Sequence, residues 1–326
     1  MWRGGRVGRV RWATRVRSGQ REAPRGFGSR TLGDPALRGV SIVSTSIQSS
    51  QAGRVILPEP AFRSVFGLVR HIAIGGIAGL VTGIVVGGGG GRLFMRIAGA
   101  AARDAAQGAT TEAGFTVGEV TFGGTVALIV FVGVFVGVVG AALYLIFRPW
   151  LSWTGRWRGV AVGVVLFAAG SATSDVMNPD NFDFLILGNS LLLVALIASL
   201  FLAFGFMIDA VFGFLDARLP GEGEGWRAVG VIYATFSVVG LVLVSLLPFA
   251  LFIGDSSCDC GPPVVASWSV AATAVGTSAW WITTLVPRSP RWLRLGAGIV
   301  GYGGTLGVLV FGLVRAASDA ADIINT

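Results

Sequence analysis

The chain has 326 residues, 53% of them hydrophobic and only 13% charged, with a mean hydropathy of +0.74; this exceeds ordinary globular usage and marks an integral membrane protein. Its net charge of +8 is carried by arginine alone, since lysine is absent, which excludes Schiff-base chemistry and a lysine-dependent phosphate loop. The single histidine, His71, excludes bis-histidine haem ligation and a two-histidine metal site within one chain.

Residues 1–63 hold 12 arginines against Glu22, Asp34 and Glu59, a net of +9, while the remainder of the chain carries −1. Such an arginine-rich, acid-poor segment reads as a disordered tail, and it lacks the apolar core of a secretory signal. Three readings of it stand open: translation from a misassigned start codon, a basic arm lying on anionic lipid, and an organellar transit peptide. No domain follows that would position Trp2, Trp12 and Phe27 as a stacking platform, so no nucleic-acid partner is expected. The absence of lysine, with 50 glycines and abundant valine and alanine, suggests a GC-rich bacterial genome.

From Val65 onward, apolar stretches long enough at 1.5 Å per residue to cross a ~30 Å hydrocarbon core recur over 65–90, 123–147, 159–177, 184–208, 228–253, 264–286 and 295–314. The pattern predicts an all-α, polytopic bundle of about seven transmembrane helices over 64–315, with a short C-terminal tail at 316–326. The first stretch carries Gly75, Gly79, Gly83, Gly87 and Gly91 at a strict four-residue spacing. In lipid, helices associate where small residues let backbones approach, so this stripe is expected to pack against another helix. Beyond it, Arg92, Arg96 and Arg103 fall within about 40° of one helix face if the helix continues. Phe115 to Gly124 then alternates and ends in glycines, which reads as an extended or re-entrant segment.

Arginine bias in the short loops sets the orientation. Arg148, Arg156 and Arg158 lie in one loop, and Arg288, Arg291 and Arg294 in another. With seven helices these share a side with the tail, so the N-terminus is expected in the cytoplasm and the C-terminus outside. Trp150, Trp153, Trp157, Trp226, Trp281 and Trp292 then sit near the cytoplasmic helix ends as interfacial aromatics. The stretch 209–227, with Asp209, Asp216, Glu222 and Glu224 against Arg218 and Arg227, reads as a loop on that side.

Two polar clusters follow from this sidedness. An outer one brings Arg92, Arg96 and Arg103 towards Asp175, Asn178, Asp180 and Asp183, either as a polar vestibule or as an ion-pair network between loops. An inner one places Arg70 and His71 near Asp209, either as a functional group of charges at membrane depth or as a snorkelling arginine. Asn189, Ser190, Ser199, Tyr233, Thr235, Thr273, Thr283 and Thr305 lie deeper and are expected to bond to their own or a neighbouring helix. Cys258 and Cys260 fall in an outer loop; a disulfide there would close a small, strained ring, so two free or externally reacting thiols are an equal alternative to it, and incidental loop cysteines are the favoured reading.

Several motif matches fail on context. Gly296-Ala297-Gly298-Ile299-Val300-Gly301 fits the dinucleotide fingerprint but follows a basic loop and opens an apolar span, where helix packing explains the glycines. The run Gly87 to Gly91 lacks the lysine and hydroxyl of a phosphate loop. No catalytic residue, cofactor or metal site is expected. A parallel repeat relating the stretches 65–177 and 228–314 is suggested by the similar basic loops FRPWLSWTGRWRGVAVG and VPRSPRWLRLGAGIVG.

The pattern Gly91-Arg92-Leu93-Phe94-Met95-Arg96, followed by Phe115-Thr116-Val117-Gly118, a glycine-rich helix and a basic loop, resembles a class of uncharacterised multi-pass membrane proteins of high-GC bacteria over roughly 65–170. That resemblance implies an all-α membrane domain and brings no activity, substrate or cofactor. The expectation is therefore a non-enzymatic helix-bundle component or assembly subunit of the bacterial inner membrane, in contact with the lipid bilayer and with a membrane-protein partner or a second copy of itself. The alternative is a small-solute or ion transporter gated by Arg92, Arg96 and Asp175 outside and by Arg70 and Asp209 inside.

Overall fold

The computed structural model describes residues 64–101, 122–173, 176, 190–220, 230–235, 237–238, 240, 264–286 and 288–325. These residues are almost entirely helical, at 96%, with no strand among them. Four helical stretches are long and apolar enough to cross a membrane: Val65–Ala101, Phe122–Thr173, Leu191–Arg218 and Arg291–Ile324.

Helix α1 spans Val65–Ala101. It begins where Ser64, in an extended conformation, accepts a hydrogen bond from the Gly67 amide at 3.2 Å, satisfying one of the helix's orphan donors. Its middle, Gly83–Gly90, widens into a π-helix before α-geometry resumes at Gly91–Ala101. The first apolar stretch thus runs well past its glycines. A four-residue step overshoots a 3.6-residue turn by about 40° and falls short of the wider π turn, so the two geometries in series keep the glycine stripe on one side.

Helix α2 covers 122–147 and has its own π segment, Leu128–Val134, beside that of α1. Phe122, Gly123 and Gly124, read from sequence as part of an extended entry, form its first turn; 115–121 lie outside the described residues. After Phe147 the chain tightens into the 3₁₀ turn Arg148–Trp157, with Pro149 in its first turn, and reverses at Gly155, whose φ of +56° is a left-handed conformation that glycine adopts without steric penalty. Helix α3, Arg158–Thr173, then returns, so the longest apolar stretch is two opposed arms.

Helix α4 spans Ser190–Arg218, ten residues beyond the predicted end at 208. The charges of 209–218 read as a loop, but Ala210, Val211, Phe212, Phe214 and Leu215 carry the helix on, and Asp209 and Asp216 find arginine partners. Residues 230–235 form a short helical stretch docked on the start of α1: Tyr233 is buried beside Phe66, and the Ser237 hydroxyl donates to the Val69 carbonyl at 3.0 Å. Helix α5, Val264–Leu285, and helix α6, Arg291–Asn325, form a hairpin. Residues 316–325 continue α6, since Ala316 and Ile323 bury against Phe167, Val176, Val194 and Ile197 while Arg315 and Asp319 pair along its exposed side at 3.2 Å.

Glycine contacts fix the helix directions. A β-carbon on Gly75 would strike the Leu145 side chain at 2.8 Å, and one on Gly79 or Gly83 would overlap the backbone of α2 at Gly137 and Gly133, so α1 and α2 are antiparallel. Gly159 and Gly163 meet the Phe206 and Leu202 α-carbons in the same sense between α3 and α4, at 2.9 and 2.8 Å for a built β-carbon. Gly276 faces Gly301, and Gly304 faces Thr273, between α5 and α6, while Gly312 sits on the Ala168 carbonyl between α6 and α3. The starts of α1, α3 and α6 and the ends of α2, α4 and α5 therefore share one end of the bundle.

The core among these helices is apolar: Ile74, Tyr144, Phe147, Val162, Ile208, Phe212 and Val308 are all buried. Large apolar side chains also cover the outside, with Ile299, Leu306 and Val314 on α6 and Phe206 on α4 each more than 60% exposed, a surface compatible with contact to lipid acyl chains.

Candidate functional site

The ionisable side chains at the shared end form two linked sets. In the first, the Asp209 carboxylate, on α4, accepts at a single oxygen from Arg158 Nε at 2.7 Å and from the Tyr144 hydroxyl at 2.8 Å. The Tyr144 oxygen in turn accepts from Arg148 Nε at 3.0 Å, and the Arg148 guanidinium lies 4.3 Å over the Phe212 ring. Three helices thus meet at one carboxylate, and Tyr144 links it to the 3₁₀ turn. The pair is partly buried, with side-chain exposures of 28% for Arg158 and 17% for Asp209, so the contact is screened less than a surface bridge.

The second set caps a helix. Arg70 pairs with the Asp216 carboxylate and donates to the carbonyls of Asp216 at 2.7 Å, Leu219 at 3.0 Å and Pro220 at 3.1 Å. The last carbonyls of a helix have no partners of their own, and they carry the negative end of its dipole; a guanidinium satisfies both needs with its fixed fork of donors. His71, one residue on, packs edge-on against Phe212 at 4.9 Å, and Phe212 also meets Tyr144 at 5.5 Å. This aromatic row joins the two sets.

The predicted inner cluster is therefore re-partnered. Arg70 and His71 do approach α4, but Arg70 takes Asp216 while Asp209 takes Arg158 and Tyr144. The reason is register: α4 continues, which places Asp209 in its interior and Asp216 two turns further on, level with Arg70. Sequence reasoning passed over Tyr144 and Phe212, and took Arg148, Arg158 and Asp216 only as loop charges. Asp209 and Asp216 are seven residues apart, nearly two full helical turns, with Phe212 between them. That spacing is the signal for one helix face.

Of the outer cluster, Arg92 is half-buried and Arg96 exposed in the last part of α1; Arg103, Asp175, Asn178, Asp180 and Asp183 lie outside the described residues, as do Cys258 and Cys260. Of the glycine stripe, Gly75, Gly79 and Gly83 face α2, Gly87 is half-buried within the π segment, and a β-carbon on Gly91 would lie 3.5 Å from Leu128. Deeper hydroxyls turn onto nearby carbonyls: Ser199 to Leu196, Thr235 to Val231, Thr273 to Ser269, Thr283 to Trp280 and Thr305 to Gly301.

Trp150, expected at the interface, is instead completely buried between α5 and α6. Its ring covers Gly301 and meets Trp280 and Tyr302, and its indole N–H donates to the Thr277 hydroxyl at 2.7 Å, which itself donates to the Ile146 carbonyl at 2.7 Å. Of the dinucleotide-like run, Gly301 is thus covered by Trp150 and faces Gly276 of α5, while Gly296 has open space beside it. Trp153, Trp157 and Trp292 are more than 60% exposed. Among the described residues no three His, Cys, Asp or Glu side chains come together as metal ligands. No protein family, curated protein or solved structure matches the chain.

Proposed function

We propose that the protein is a multi-pass component of the bacterial inner membrane, of about seven spans with its N-terminus in the cytoplasm, which acts by holding helices together rather than by catalysis. The observation that supports this most directly is the use of glycine at successive helix pairs, α1 with α2, α3 with α4 and α5 with α6, where backbones touch and leave an apolar core between them. The ionisable groups of the shared end serve the same purpose, one arginine closing the end of α4 and another tying α3 to α4. On this reading a membrane-protein partner or a second copy completes the assembly. Purifying a tagged protein in mild detergent at native expression, with mass spectrometry of what accompanies it, tests the reading. A stoichiometric partner or a homo-oligomer supports it; a monomer that moves an ion or solute in proteoliposomes refutes it.

Transport is the second reading, and a different observation favours it: both ion pairs of the inner end bridge separate helices, Arg70 with Asp216 and Arg158 with Asp209, as a gate would require. On that reading the inner gate consists of these two pairs, rather than of Arg70 with Asp209. Solute flux that responds to charge reversal at Arg158 and Asp209 together would favour it over assembly.

A further inference from the structure

The 3₁₀ turn Arg148–Trp157 carries more positive charge than the described residues around it neutralise. Arg148, Arg156 and Arg158 lie within eleven residues of sequence, and the one carboxylate described in contact with them, Asp209, is taken by Arg158 and Tyr144. Arg148 is held by neutral groups, the Tyr144 oxygen at 3.0 Å and the Phe212 face at 4.3 Å, which fix the guanidinium without cancelling its charge. Arg156 is exposed and lies 5.6 Å over the ring of Trp157. Among the described residues, no carboxylate pairs with either.

The turn is also two-sided. Trp150 and Leu151 are buried and anchor it to the bundle, while Trp153 and Trp157 are 67% and 61% exposed. Its depth follows from its contacts. Trp150 is level with Thr277 of α5 and Gly301 of α6, eight and ten residues from the ends of that hairpin, so the turn is set back by about 12–15 Å from the hairpin tip. Asp216 likewise lies about 10 Å beyond Asp209 along α4. Exposed tryptophans at the end of an apolar span favour the headgroup layer, and there the neighbouring helices would still flank them as they run on into water.

We propose that this turn binds the phosphate of an anionic phospholipid, with Arg148 and Arg156 as its ligands and Trp153 and Trp157 seated at the boundary between headgroup and acyl chain. The proposal rests on the chain being an integral membrane protein. A guanidinium fork matches phosphate oxygens in geometry and charge, and each arginine near an anionic surface contributes about a fivefold gain in binding. The two exposed indoles single out a lipid over free phosphate, since a soluble anion would gain nothing from them.

The full chain is reconstituted in phosphatidylcholine nanodiscs containing a minor fraction of phosphatidylglycerol, and native mass spectrometry reads the lipids that stay bound on release. The expected result is enrichment of phosphatidylglycerol over its bulk fraction, reduced about fivefold in Arg156→Gln and further in Arg148→Gln, and unchanged in Arg315→Gln at the opposite end. Arg156 makes no described hydrogen bond, so Arg156→Gln carries the test if Arg148→Gln fails to fold. Equal enrichment in wild type and Arg156→Gln overturns the proposal, as does complete displacement by millimolar inorganic phosphate, which would make this a soluble-anion site. A chain that inserts but shows no headgroup preference overturns this site alone; a chain that alkaline carbonate strips from membranes overturns the membrane reading with it.

Discussion

Replacing Gly83 by alanine adds one methyl group where α1 and α2 meet. That methyl would overlap the Gly133 carbonyl oxygen and sit 2.5 Å from the Gly137 α-carbon and 2.8 Å from its amide nitrogen. All three obstacles are backbone, so no side chain can rotate aside, and the helices must separate by about 1 Å to reach ordinary contact. Overpacking of this kind costs up to ~3 kcal/mol. Alanine returns at most about 1 kcal/mol through its better helix propensity, leaving a net loss of ~2 kcal/mol. Gly76, in the same helix, has open space where a methyl would go, so Gly76→Ala should be neutral or up to about 1 kcal/mol more stable. Reversible unfolding in mixed micelles, titrated with a denaturing detergent, measures both variants. If Gly83→Ala proves as stable as Gly76→Ala, the backbones of α1 and α2 are not in contact and the glycine-packing account fails.

Three further perturbations test the shared end. Asp209→Asn leaves the half-buried Arg158 beside a neutral amide and should cost about 2 kcal/mol; the double variant with Arg158→Gln should recover part of that loss, giving a coupling of at least about 1 kcal/mol in a double-mutant cycle. Arg70→Gln should cost ~1–2 kcal/mol and speed amide hydrogen exchange over 215–220, with Arg70→Lys failing to rescue because a point charge cannot reach the carboxylate and three carbonyls at once. Thr277→Val removes the acceptor of the buried Trp150 indole and should destabilise by ~1–3 kcal/mol, whereas adding Trp150→Phe should relieve part of that cost, both read by thermal unfolding.

The helical class and some segment boundaries could be read from hydropathy, because apolar length is a property each segment carries alone. The 122–147 segment and Val264–Leu285 fall within a residue of expectation. What sequence misplaced depends on partners. Asp209 to Arg218 looks like a charged loop until Arg158 and Arg70 are brought alongside, and 316–325 looks like a tail until Ile323 meets Val194 and Ile197. Trp150 fits an interfacial aromatic by position alone; only the groove opened by Gly301 shows why it is buried. The pairings at Asp209 and Asp216 turn on a two-turn offset along α4, and a helix end set ten residues too early exchanges one partner for the other.

The widened middle of α1 makes the glycine run an angular setting as well as a surface. Each residue of an α-helix turns its successor by about 100°, and by somewhat less in a π segment, so losing a single residue from Gly87 to Gly90 while the segment keeps its π-geometry would swing Arg92 and Arg96 by roughly a quarter-turn about its axis. The first half of α1, gripped by α2 through Gly79 and Gly83, would stay where it is. A change in the length of that run would thus re-aim the two arginines at the far end without altering a single contact at the near one.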